Sequence, residues 1–73
     1  MYPTYYVIIY TEKENGETIG KSQPNTRYNS IEEAEKELKS KGFTKVGRFD
    51  WYTDLNTGGI ASVEAHIQWK EAR

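Results

Sequence analysis

Only one stretch of this chain, "SIEEAEKELKSKG" at residues 30–42, carries the marks of a helix, and everything else must be accommodated around it. Ser30 is a strong N-cap and Glu33, three residues on, completes a capping box, while Gly42 supplies a left-handed stop. Ile31, Ala34 and Leu38 form a narrow apolar stripe. Glu32 with Lys36, Glu35 with Lys39 and Glu37 with Lys41 stand four apart in the favourable orientation, and the acid-early, base-late order complements the helix dipole. A helix of about 11 residues is about 16 Å long and 10 Å across, too small to shield both faces of a sheet.

The flanking segments read as strands. Tyr5 to Glu12 gathers Tyr5, Tyr6, Val7, Ile8, Ile9 and Tyr10 without a helical period, and both its faces are apolar, as in a central strand. Asn15 and Gly16 signal a hairpin into a second strand, Glu17 to Ser22. A two-residue loop sets Ile19 opposite Glu12, and a three-residue loop with a glycine bulge sets it opposite Thr11. The second register is preferred because it joins Ile19 to Val7 and Ile9 in an aliphatic face able to receive the helix. Pro24 and Asn25 make 23–29 turn-like.

Beyond the helix, a strand from Thr44 to Thr53, a turn through "DLNTGG" at 54–59 and a strand from Ile60 to Lys70 form a second hairpin. In the last strand Ala61, Val63, Ala65, Ile67 and Trp69 alternate with Ser62, Glu64, His66, Gln68 and Lys70, which assigns the first set to the core. Phe43, Phe49 and Trp51 share a parity that Val46 breaks, and Gly47 is expected to be a bulge that restores it. The expected architecture is a single α+β domain over residues 1–73, ordered β-β-α-β-β, with a four-stranded antiparallel sheet and one helix on one face.

A chain of 73 residues buries only about 60 to 65% of its unfolded surface and has no room for a deep walled active site. It has no cysteine, so neither a disulfide nor a thiolate metal site stabilises it, and one histidine does not make a zinc site. "DLNTGG" lacks the alternating oxygen ligands of a calcium loop, and its glycines follow no strand-to-helix junction that would cradle phosphate. No cofactor or metal is therefore expected. His66 has no evident partner, pocket or substrate pose for acid–base work, and the chain is read as non-enzymatic. The N-terminal "MYPTYYVIIY" is too short to span a membrane and lacks a basic leader, so it reads as structure, and a cytoplasmic protein that avoids membranes is expected.

With the helix on the aliphatic side, the open sheet face would present Tyr6, Ile8, Tyr10, Arg48, Asp50, Tyr52, Glu64, His66 and Gln68. Tyrosine and arginine are enriched at protein contacts. The favoured reading is a small protein-binding module, a regulator or inhibitor of the kind bacteria and phages carry. It would occlude a protein partner or dimerise through that face, with Tyr6, Tyr10, Arg48, Tyr52 and His66 as contacts and the "DLNTGG" tip as an auxiliary loop. The alternative is a single-stranded nucleic-acid-binding domain, in which sheet aromatics stack bases and the basic segment Lys39, Lys41, Lys45 and Arg48 meets phosphates. The formal net charge of −1 and the glutamates beside those lysines weigh against it.

Overall fold

A computed structural model describes residues 4–54 and 60–71. Five strands and one helix follow in the order β1 (Thr4–Glu14), β2 (Glu17–Ser22), α1 (Ile31–Ser40), β3 (Thr44–Lys45), β4 (Asp50–Asp54) and β5 (Ala61–Glu71). The strands make one antiparallel sheet with spatial order β2-β1-β5-β4-β3. The architecture is α+β, but the sheet has five strands where the sequence predicts four. The expected Thr44–Thr53 strand is broken in two: Val46 and Gly47 both donate to the Asp50 carbonyl, at 2.9 and 3.1 Å, and fold the chain back so that Lys45 faces Trp51. Gly47 therefore belongs to a turn and is not a bulge within a continuous strand. The "DLNTGG" turn lies largely in 55–59, outside the described residues.

Local chemistry sets the helix ends. The Ser30 hydroxyl accepts from the Glu33 N–H at 3.3 Å, while the Glu33 carboxylate reaches back to the Asn29 N–H at 2.8 Å, one residue earlier than in the usual reciprocal box. At the other end Gly42 has φ +87°, its N–H donates to Lys39, and the Phe43 N–H donates to Leu38, which is a Schellman closure that turns Phe43 into the core. Among the expected helix pairs Glu37 meets Lys41 at 3.5 Å, whereas Glu35 is taken by Lys45 at 2.8 Å.

The helix packs on the face opposite to the one expected. Ile8, Ala34, Leu38, Trp51, Ala65 and Ile67 form the buried core, with Tyr6, Tyr10, Tyr28, Ile31, Phe43 and Phe49 packed around it. The register explains this: Tyr6, Ile8 and Tyr10 stand opposite Trp69, Ile67 and Ala65, so the tyrosine-bearing parity of β1 joins the core parity of β5. The hairpin turn also differs. Glu14 pairs with Glu17 across a two-residue loop in which Asn15 (φ 52°) and Gly16 (φ 82°) are both left-handed. A bulge then leaves Ile19 between the pairs Lys13↔Thr18 and Glu12↔Gly20. Ile19 is 59% exposed and joins no aliphatic face. The hairpin tip is tied to the start of β5 by the Asn15 N–H, which donates to the Ile60 carbonyl at 2.7 Å.

Candidate partner-binding surfaces

The five predicted contact residues do not converge. Tyr6 and Tyr10 lie half-buried on the helix side, Tyr52 and His66 lie on the open face, and Arg48 sits in the turn between β3 and β4 with its guanidinium 5.4 Å from the centre of the Phe49 ring. Ile8, expected on the open face, is core. The open face instead carries Tyr5, Ile9, Thr11 and Lys13 around a buried Val7, beside Lys70, Gln68, His66, Glu64 and Ser62, and then Asp50 and Tyr52. Some of its polar groups pair within the molecule. His66 Nδ1 lies 2.9 Å from an Asp50 carboxylate oxygen, Lys13 meets Glu64 at 2.7 Å, and the Arg27 guanidinium lies 4.3 Å from the centre of the Tyr5 ring. Among the described residues no group of three or more His, Cys, Asp or Glu side chains is arranged to hold a metal ion.

One concavity, of about 200 Å³, is lined by Thr11, Asp50, Trp51, Glu64, Ala65 and His66, and two others lie where the ladder is interrupted. The larger, of about 410 Å³, is lined by Tyr6, Phe49, His66, Ile67, Gln68 and Trp69. It opens where β4 leaves β5: the Phe49 carbonyl accepts from the Ile67 N–H at 2.9 Å, and the chain before Phe49 then turns away towards β3. Because main-chain groups two residues apart point to the same edge, those of Trp69 face outward beyond Phe49 without an opposing strand. Alternation places Trp69 in the core set, yet it is 53% exposed. An 11-residue strand is about 36 Å long and a 10-residue helix about 15 Å, so the helix covers the middle of β5 and leaves this end bare. That mismatch was the sequence signal for the groove.

A further concavity, of about 210 Å³, is lined by Ile8, Tyr10, Pro24, Thr26, Tyr28, Glu37 and Lys41. The Lys41 ammonium donates to the Tyr10 hydroxyl at 3.2 Å and lies 5.1 Å from the centre of that ring, which is tilted against Phe43 at 5.9 Å. The hydrogen bond to Tyr10 holds the Lys41 pKa above its ordinary value, and burial, aided by the charge of Glu37, raises that of Tyr28. Both shifts act in one direction. The unfolded chain loses these protons first, so the stability they contribute is present below about pH 10 and is lost as pH climbs through the raised folded values. The melting temperature is expected to fall above about pH 10, and Lys41→Met to make the fall shallower. Identical slopes in the two proteins, read by circular dichroism, would show that the Lys41 contact is energetically silent.

No helix among the described residues is long and apolar enough to cross a membrane. Of the basic segment, Lys41 and Lys45 are held by Glu37 and Glu35, and Arg48 rests on Phe49. Comparison with protein-family models, curated proteins and solved structures finds no match to this chain.

Proposed function

We propose that this chain is a small, non-enzymatic protein-binding module that accepts an extended, apolar segment of a partner protein at the free end of β5. The observation that carries this reading is Trp69, half-exposed in an aromatic groove with Tyr6, Phe49 and Ile67 at the point where the sheet edge has no opposing strand. An added strand would take its hydrogen bonds from the main chain of β5 and its selectivity from the groove, which receives alternate side chains. Tyr6, Arg48 and His66 keep a place at this surface, since Tyr6 and His66 line the groove and Arg48 borders Phe49. Tyr10 and Tyr52 do not. The open face is the weaker candidate because Lys13 with Glu64, and His66 with Asp50, already pair within the molecule. The nucleic-acid reading is weakened in the same way, since two of its four cations are held by glutamates.

The test is selection of seven-residue peptides from a random display library on the immobilised protein, followed by titration. Peptides with alternating apolar residues are expected to bind and to shift the Ile67 to Trp69 amide resonances. Trp69→Ala should weaken them by about thirty-fold, as truncation of a central aromatic contact does, without lowering the melting temperature. Peptides that bind equally well to Trp69→Ala, or none that bind, would remove the proposal. If sedimentation shows a dimer that Trp69→Ala disperses, the partner segment comes from a second copy of the chain.

A further inference from the structure

The groove at Trp69 has one closed end, and that end decides which part of a partner can enter. Tyr6, opposite Trp69, gives both its main-chain groups to Tyr28 across the far edge of β1, so the main-chain groups of Trp69 point away from β1. On that side the Ile67 N–H is already taken by the Phe49 carbonyl, and Trp69 is the next position of the ladder. The concavity of about 410 Å³ straddles this edge. Tyr6, Phe49, Ile67 and Trp69 wall it from the helix side, and His66 and Gln68 wall it from the open side, as they would flank an added strand. Trp69 itself is 53% exposed. An antiparallel guest runs in the direction of β4, and the β4 register sets one guest residue opposite Lys70 and the next opposite Trp69. The position after that, opposite Gln68, is the one that would be bonded directly to Phe49, where the protein's own chain enters the ladder. A guest strand therefore ends opposite Trp69 or leaves the sheet there.

What stands at the closed end is a cation. Arg48 is exposed and its guanidinium rests 5.4 Å from the centre of the Phe49 ring. Among the described residues neither Arg48 nor Lys70, which flanks Trp69 on the open face, meets a carboxylate. Of the acids near the groove, Asp50 is held by His66 Nδ1 at 2.9 Å, and Glu71 lies two residues farther from the closed end. A parallel guest would bring its N-terminal ammonium to Arg48 and be repelled, whereas an antiparallel guest brings its carboxylate. We infer that the groove takes a free C-terminal tail of a partner protein. The terminal carboxylate receives the Trp69 N–H and the Arg48 guanidinium, the last side chain is apolar and enters the aromatic groove, and an acidic residue just before it stands opposite Lys70. This inference rests on the strand-addition reading above and narrows it.

Three synthetic peptides test it in amide-resonance titrations of the whole chain. One is acetyl-Thr-Val-Thr-Leu-Glu-Leu with a free carboxylate, the second ends in a carboxamide, and the third is extended by Gly-Ser-Gly, which keeps the terminal charge but moves it away from the last leucine. The free acid is expected to shift the Trp69 N–H and the Arg48 Nε–H and to bind at least about tenfold more tightly than the other two, because each of those forfeits a charge-assisted hydrogen bond. In Arg48→Met, an exposed substitution that should leave the melting temperature in place, the acid and the carboxamide should bind alike. Glutamine for the penultimate glutamate of the peptide should cost about threefold, and nothing in Lys70→Gln. Equal binding of the three peptides with shifts at Trp69 would overturn the C-terminal assignment and leave strand addition standing. A preference for the acid that survives in Arg48→Met would overturn it as well, since the carboxylate would then be held elsewhere. If none of the three binds, both readings fall.

Discussion

Trp51→Ala is expected to lose most of the stability of this domain. Trp51 is 1% exposed and stands opposite Ala65 on β5, in a core that also contains Ala34, Leu38 and Ile67. The small residues on both sides admit the indole, so alanine in its place leaves a cavity that short side chains cannot close. Such truncations cost about 3–5 kcal/mol, against roughly 4–11 kcal/mol for a domain of this length. Trp51→Phe is expected to be much milder. The Nε1–H of Trp51 is buried without a hydrogen-bond partner, and phenylalanine removes that donor together with the lost volume. Urea denaturation followed by circular dichroism separates the two variants. The alanine protein should lack a cooperative transition or show one at very low urea, and the phenylalanine protein should stay within about 2 kcal/mol of the parent. An alanine variant within about 1 kcal/mol of the parent would mean that the core is not organised around this side chain.

The helix was legible because its determinants are neighbours in sequence: Ser30 and Glu33 at one end, Gly42 and Phe43 at the other. The alternation of β5 was legible for the same reason, and Ala65 and Ile67 are core as the pattern demands. What local pattern does not decide is which face of β1 meets the helix, since Tyr6, Ile8 and Tyr10 are able to pack in a core although Tyr5, Val7 and Ile9 make the more aliphatic set. The choice is made by the pairing Ile8↔Ile67, between residues near opposite ends of the chain. The hairpin misled for a related reason: the favoured register gave Ile19 a hydrophobic home, whereas a bulge after the Asn15–Gly16 turn leaves it in solvent. The contact residues inherited both errors. Parity places Tyr6 and Tyr10 on one face, and parity alone does not say which side is covered. The same alternation puts Trp69 in the core, whereas the element lengths show that one short helix does not reach the end of an 11-residue strand.

A pair of charge substitutions on β1 tests that assignment directly. Ile8 is buried against the helix, while Ile9 is only partly covered and stands opposite His66 on the open face. Ile8→Asp places a carboxylate among Leu38, Trp51 and Ile67, where the neighbouring Lys41 is already engaged by Glu37 and Tyr10, and burying a charge there should cost more than about 4 kcal/mol, enough to unfold the domain at neutral pH. Partial rescue near pH 4 is expected, because burial raises the carboxyl pKa and protonation removes the charge. Ile9→Asp faces solvent beside the His66 imidazole, and the expected loss is about 1 kcal/mol, mostly strand propensity and lost apolar contact. A helix seated on the Val7 and Ile9 side would reverse the order, with Ile9→Asp unfolded and Ile8→Asp tolerated. The consequence extends to function, because Tyr6 and Ile67 line the aromatic groove only if the even-numbered face of β1 is the covered one, and the reversed result would dismantle that groove together with the core.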